Sequence, residues 1–326
     1  MAGPGAGHTQ ELTDRHARPA RAGGFSHTAL LYRSTEEYHS GLSEFARQAA
    51  EADAPLQVVL PRTSTLMARG TFPMLAPRAQ LADMTDLGRN PARLIPAGQA
   101  FATEHPGERS YYLWEPAWPR RSAAEQNEVV RHEGLCNLAF ADQAMTVLCL
   151  YDAARLSPEL INGAELTHPA VISAGQRHES RSYLGPGSIP AGCEEPLPPS
   201  APQAETLTFT DQVSQVREFC ARHANAAGLG PNRTRDLILA VSEIAANAIS
   251  YADGGLIRAW CTDLELICQL EDDGHISEPL AGRLQRPPDA LGGHGLWLVN
   301  LVCDLVERRS SGGGTVTRLH MRRRVF

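Results

Sequence analysis

The feature that most constrains this chain is the stretch GPGSIPAGCEEPLPPSAPQAE at 185–205. It is dense in Pro, Gly and Ser and has no periodic apolar pattern, so no long helix or strand can run through it. A chain of 326 residues broken in this way is expected to form two domains of ordinary size. Apolar residues make up 42% of it, enough for a core in each. The expected division is a disordered tail at 1–24, a first domain at 25–184, a linker at 185–205 and a second domain at 206–326. No internal repeat is visible.

The two blocks read differently. In the first, 35–50 has helical spacing, with Leu42, Phe45, Ala46 and Ala49 on one face. The apolar runs LQVVL at 56–60 and MTVLCL at 145–150 read as buried strands. Between them, 123–140 reads as a long amphipathic helix. Buried strands alternating with helices predict an α/β domain around a mainly parallel sheet. In the second block a strand at 206–209 precedes helices at 212–227 and 232–252. Strands at 255–261 and 265–271 follow, then a glycine-rich loop, a helix at 296–303 and strands at 305–310 and 315–321. This order predicts an α+β sandwich with helices on one face of a mixed sheet.

Composition removes several functions. The formal net charge of −7 argues against direct nucleic-acid binding and against attachment to an anionic membrane. No apolar run approaches the roughly 20 residues of a membrane span. The first 24 residues hold no apolar stretch that could serve as a signal peptide. The expected localisation is therefore cytoplasmic. Cys136, Cys149, Cys193, Cys220, Cys261, Cys268 and Cys303 form no CxxC pair, so a zinc ribbon or thioredoxin-type site is not expected. Most sit among apolar residues and read as inert core positions. The chain contains no lysine. That excludes a Walker A phosphate loop and any Schiff-base mechanism. A nucleotide here must be held by backbone amides, metal or arginine.

Three segments of the second block carry chemistry. Glu243 and Asn247, spaced i, i+4, lie on one helical face. A carboxylate and a carboxamide so placed can share a hydrated Mg²⁺. Asp272-Asp273-Gly274 ends a strand. A carboxylate there can accept a hydrogen bond from an amino group such as that of adenine, and the glycine lets the backbone approach a ring. Gly292, Gly293, His294 and Gly295 run directly into an apolar helix. Free N–H groups at a helix N-terminus bind phosphate. Singly, these segments also fit a solvated helix face, an Asp-Gly turn and a loop. Their order and spacing together point to nucleotide binding.

That set resembles the N box and the two glycine boxes of the GHKL (Bergerat-type) ATPases, such as gyrase and the histidine kinases, over roughly 207–321. The short domain and the brief lid at 276–291 are most similar to the serine/threonine kinases that act as bacterial anti-sigma factors. The resemblance implies Glu243 as general base and Asn247 as the Mg²⁺ ligand. It implies Asp272 at adenine with Gly274 beside it, and Gly292, Gly293, His294 and Gly295 around the phosphates. Thr315, in Gly-Gly-Gly-Thr, matches the threonine that supports the adenine site from the last strand. Two positions depart from the family pattern: Ile276 stands where a second glycine is usual, and Tyr251 where a histidine is common.

In the first block His27, His132, Glu133 and His168 stand out, but no metal spacing such as HExxH links them. They read as satisfied structural histidines with a neighbouring carboxylate. Three stretches resemble the MEDS sensory domains over about 25–169: FSHTALLYRSTEEY, WEPAWPRRSAAEQNEVVRHEGLCNLAF and LCLYDAARLSPELINGAELTHP. The resemblance implies a degenerate RecA/KaiC-like fold that senses small, often hydrocarbon-derived molecules. The missing Walker lysine agrees with it. The middle, 62–107, matches poorly. His132, in RHEGLCN, also resembles the phosphoacceptor box of a histidine kinase. A strand follows it, however, where a dimeric hairpin would need a second long helix.

The expected function is a signal-responsive regulator that binds ATP and Mg²⁺ and controls a sigma factor. It would sequester sigma, phosphorylate a serine or threonine of an anti-anti-sigma partner with a STAS domain, or do both. A small-molecule signal at the first domain and homodimerisation belong to this expectation. The alternatives are a non-catalytic, ATP-gated binding module and an atypical histidine kinase.

Overall fold

The computed structural model describes residues 24–64, 77–285 and 293–323. The first domain is built on strands β1 (Ser26–Tyr32), β2 (Leu56–Leu60), β3 (Ala79–Asp83), β4 (Ser110–Trp114), β5 (Met145–Asp152), β6 (Ala170–Ser173) and β7 (Gln176–Glu179). They lie in the order β3-β2-β4-β5-β1-β6-β7. Every pairing is parallel except that of β7 with β6. The near-continuous burial of β1, β4 and β5 is what a parallel sheet covered on both faces requires. Helix α1 (Thr35–Glu51), N-capped by Ser34, places Leu42, Phe45, Ala46 and Ala49 in an apolar layer with Leu30, Val58 and Leu148. Helices α2 (Met84–Leu87), α3 (Leu94–Glu104), α4 (Ala123–Ala139) and α5 (Pro158–Thr167) follow along the chain.

Helix α4 differs from the expected amphipathic helix. A capping box between Ser122 and Glu125 starts it. Beyond that it is buried nearly all round, including the polar residues Glu125, Glu128, His132, Glu133 and Asn137. The reason is its position: one side faces the first domain's interior and the other faces the second domain.

The second domain has strands β8 (Glu205–Phe209), β9 (Gly255–Cys261), β10 (Glu265–Asp272), β11 (Leu305–Ser311) and β12 (Gly314–Arg322), in the order β11-β12-β10-β9-β8. The sheet is antiparallel at every pairing, so the expected mixed sheet is corrected. The helical excursion between β8 and β9 returns the chain antiparallel rather than through a parallel crossover. Helices α6 (Val213–Ala226), α7 (Pro231–Ala252) and α8 (Gly295–Val302) complete the domain. One face of α6 and α7, including Val216, Phe219, Leu237, Val241, Ile244 and Ala248, buries against Ile257, Leu266, Leu270 and Leu319. At the end of α7, Gly254 takes φ of 112°. An added Cβ there would collide with Phe209 O, so only glycine makes the turn into β9.

The segment at 185–205 packs instead of spanning open space. Cys193 is buried in the first domain's core and Ile189 packs against that core. Further on, Pro198 O accepts a hydrogen bond from Arg318 Nη2 at 2.6 Å, and Glu195 O accepts one from Arg309 Nε at 2.9 Å. The domains also meet directly. Leu280 of the second domain is buried in the first domain's core, with Leu284 packed beside it. Glu128 of α4, 1% exposed, pairs with Arg283 at 2.6 Å, Arg131 at 3.3 Å and Arg309 at 3.4 Å. Asn90 donates from Nδ2 to Asn300 O of α8 at 3.0 Å.

Candidate nucleotide site

The site is assembled where α7, the end of β10 and the start of α8 converge. Glu243 and Asn247 lie one turn apart on α7, both partly buried. The Glu243 carboxylate reaches the first residue of α8: an added Cβ on Gly295 would collide with Glu243 Oε2. A side chain there would have to push the acid away from the helix N-terminus. His294 occupies the N-cap position without a side-chain capping bond, and the first-turn N–H groups of such a helix are of the kind that bind an anion. Gly293 holds φ of 80°, a left-handed conformation that favours glycine. Gly292 lies outside the described residues.

The residues after β10 form a hydrogen-bonded loop. Strand register sets Asp272, the last residue of β10, opposite Thr315 of β12. Asp272 Oδ1 accepts from Gly274 N at 2.9 Å, and an added Cβ on Gly274 would lie 2.8 Å from that same oxygen. Thr315 Oγ1 donates to Gly274 O at 2.7 Å. With its proton used there, Thr315 accepts from Ser310 Oγ at 2.8 Å, and Ser310 Oγ accepts from Ile276 N at 2.8 Å. A relay from Ile276 through Ser310 and Thr315 thus clamps the loop from the last two strands. Burial pushes the Asp272 carboxyl up, Gly274 N–H opposes this and Asp273 adds to it.

The departure at Ile276 is accommodated. Ile276 is not among the described residues with positive φ, so its backbone does not call for glycine, and Ser310 satisfies its N–H. Tyr251, at the other departure, is 82% exposed on the last turn of α7. Ser310 was not foreseen from sequence. Its role comes from pairing with Thr315 across the β11–β12 hairpin, a register that only the folded sheet defines.

These residues suit a magnesium nucleotide. The glycines leave backbone room, His294 places no side-chain cap on the N-terminus of α8, and Asp272 brings a carboxyl acceptor within a tied loop. Glu243 would stand at the phosphate end. Asn247, one turn further along α7, supplies an oxygen of the kind Mg²⁺ takes.

The comparisons with known proteins agree with this geometry. Residues 208–321 match the histidine kinase-like ATPase domain, and residues 26–169 match MEDS, the methanogen/methylotroph, DcmR sensory domain. The chain is thus a MEDS sensory domain followed by an ATPase domain of the GHKL type. A comparison with the curated proteins finds no match. Among the described residues no helix is long and apolar enough to cross a membrane.

In the first domain, His132 is 0% exposed and lies against Cys136, with Nε2 3.4 Å from Sγ. Burial pushes its pKa down to about 3, against the pull of Glu133. A phosphoacceptor must reach a γ-phosphate, and this imidazole is enclosed. His27, Glu133 and His168, read separately in the sequence, come together in one buried cluster with Cys149.

Proposed function

We propose that this protein is a signal-responsive regulator whose second domain binds Mg-ATP and phosphorylates a serine or threonine of an anti-anti-sigma partner with a STAS domain, or sequesters the sigma factor itself. The observation that carries this reading is the Glu243 carboxylate set against Gly295 at the N-terminus of α8. A general base is useful only beside the phosphoryl group it serves, and α8 is where phosphate is expected. Glu243 takes the proton from the partner's hydroxyl as that oxygen bonds to the γ-phosphorus of ATP and ADP leaves. Bound Mg²⁺ would neutralise charge on the phosphates during this transfer. Asp272 fixes the adenine, and Thr315 with Ser310 fixes the loop carrying Gly274.

The first domain supplies the means of regulation. The segment that follows the adenine loop is gripped by the sensor: Arg283 through Glu128, and Leu280 through the sensor's core. A small-molecule signal that shifts α4 moves this grip. A groove of about 520 Å³ between α1 and strands β1, β5 and β6, lined in part by Leu30, Phe45, Leu148 and Ile172, is a candidate place for such a molecule. The same grip supports a second reading, an ATP-gated binding module in which the clamped segment only presents a partner surface.

Labelled ATP with the STAS partner separates these readings. Acid-stable label on the partner is expected, and Glu243→Ala should lower transfer by roughly 100-fold or more with ATP affinity nearly intact. Asn247→Ala should weaken both. A confirmed partner that binds yet takes no label moves the assignment to the binding module. Acid-labile label on the chain itself would indicate histidine kinase chemistry.

A further inference from the structure

Four side chains far apart in sequence meet beneath α4. His27 comes from β1, Cys149 from β5, Glu133 from α4, and His168 from the C-cap of α5. The four ligand atoms lie within 4.8 Å of one another, and all four residues are buried. His27 Nε2 is 3.0 Å from Glu133 Oε2 and 3.2 Å from Cys149 Sγ. Cys149 Sγ is 3.4 Å and His168 Nε2 3.6 Å from the same carboxylate oxygen.

The surrounding hydrogen bonds fix what these atoms can offer. Asn137 Nδ2 donates to Glu133 O at 3.1 Å and Thr167 O at 2.8 Å. Its Oδ1 therefore faces His27 Nδ1, 3.1 Å away, which must carry the hydrogen. His168 Nδ1 is 2.8 Å from Ala164 O and must also donate. Both Nε2 atoms are left with lone pairs aimed at an acceptor oxygen. His168 Nε2 is buried with no hydrogen-bond partner. Protonating His27 would satisfy one contact and still leave His168 without a donor. The Cys149 thiol has one proton and gives it to Glu133 Oε2, so the two imidazole lone pairs stay buried without a donor, which is costly, and a cation at the centre accepts both of them.

We propose that the sensory domain holds one divalent first-row metal ion, with zinc preferred, between His27, Glu133, Cys149 and His168. Two imidazoles, a thiolate and a carboxylate make a four-coordinate zinc donor set. Bonds of about 2.0–2.3 Å in a tetrahedron give ligand–ligand edges of roughly 3.3–3.8 Å, close to the separations above. The outer shell fits as well. Each imidazole is oriented through its other nitrogen, Tyr151 donates to Glu133 Oε1 at 3.2 Å, and Trp114 Nε1 donates to Cys149 Sγ at 2.7 Å. Loading releases the Cys149 thiol proton to solvent, and the thiolate bonds to the metal. With all four positions taken by protein, the ion ties β1, β5 and α5 to α4, the helix that contacts the ATPase domain.

The test uses the untagged full chain, purified without chelator. Elemental analysis should find close to one zinc per chain. Exchange with cobalt(II) should give the intense visible bands of a tetrahedral site and a thiolate-to-cobalt charge-transfer band. Cys149→Ser should abolish the charge-transfer band and weaken metal binding at least about tenfold, whereas Cys261→Ser, at the exposed cysteine, should change neither. If Cys149→Ser does not fold, the wild-type and Cys261→Ser spectra decide. Folded wild-type chain that takes up no zinc or cobalt at micromolar concentration overturns the proposal, as does a charge-transfer band that survives Cys149→Ser or disappears in Cys261→Ser.

Discussion

At the residue scale, His320 on β12 makes a pH-dependent contribution with a definite sign. It is buried between Glu265 and Glu307, with Nδ1 3.1 Å from one carboxylate and Nε2 3.0 Å from the other. Burial alone would lower its pKa. The hydrogen bonds to both carboxylates win and raise it to about 9. A group whose folded pKa is raised adds stability that is fully present below its unfolded value, near 6.5, and is lost as pH rises through about 9. The shift corresponds to about 2–4 kcal/mol. Denaturant unfolding should therefore show stability falling from about pH 6.5 to 9.5, and His320→Asn should flatten that slope. An unchanged slope in the variant would show that the pair does not titrate this way. Asp272→Asn addresses function instead. The amide still accepts a hydrogen bond but loses the charge-assisted strength, so adenine nucleotides should bind more weakly by about 1–3 kcal/mol. Calorimetry with ATP measures this directly, and unaltered affinity would make Asp272 a turn residue only.

At the scale of elements, α4 carries the buried charged contact between the domains. Its Glu128 balances three arginines in a nearly closed space, and burial already pushes the Arg283 guanidinium down against Glu128's pull. Glu128→Gln keeps the shape and removes the charge. Breaking such a buried pair typically costs about 3–5 kcal/mol. The first consequence should be faster hydrogen exchange at 276–285, with altered ATP affinity although no nucleotide-contacting residue has changed. Exchange confined to α4 itself would mean that the contact does not steer the lid. The same helix marks where sequence reasoning stopped. Its spacing gave the helix, but an amphipathic reading presumes solvent on one side, and here a second domain replaces solvent. The ATPase domain was legible because Glu243 with Asn247 and Asp272 with Gly274, the pairs proposed for its nucleotide site, are local and their spacing survives in one dimension. His27, Glu133, Cys149 and His168 were visible one at a time, but nothing in their spacing joins them. Strand order in the parallel sheet and the crossing of α4 bring them together, and no short motif records that. The antiparallel run of the second sheet was hidden for a related reason, since the pairing partner of β8 is set across two intervening helices.

At the scale of the whole molecule, the question is whether the ATPase domain is independent. Its main core is drawn from its own residues, Phe209 to Met321, so a fragment beginning near Glu205 should fold. It would not fold into the same energetic state. Without the first domain, Leu280 and Leu284 lose their apolar surroundings. Arg283, Arg309 and Arg322 lose the carboxylates of Glu128 and Glu125. Asn300 on α8 loses Asn90. All of these losses fall on 280–284, α8, the edge strand β11 and the end of β12, while α6 and α7 keep their packing. The fragment should therefore melt several degrees below the intact chain; about 1 kcal/mol moves the midpoint of a domain this size by roughly 3–6 °C. Exchange protection should fall at 276–285 and hold on α6 and α7. Calorimetry on fragment and full chain, with exchange read by mass spectrometry, measures both. Equal midpoints and equal protection at 276–285 would show that the interdomain contacts carry no stability, and the sensor would then have no grip through which to act on the nucleotide site.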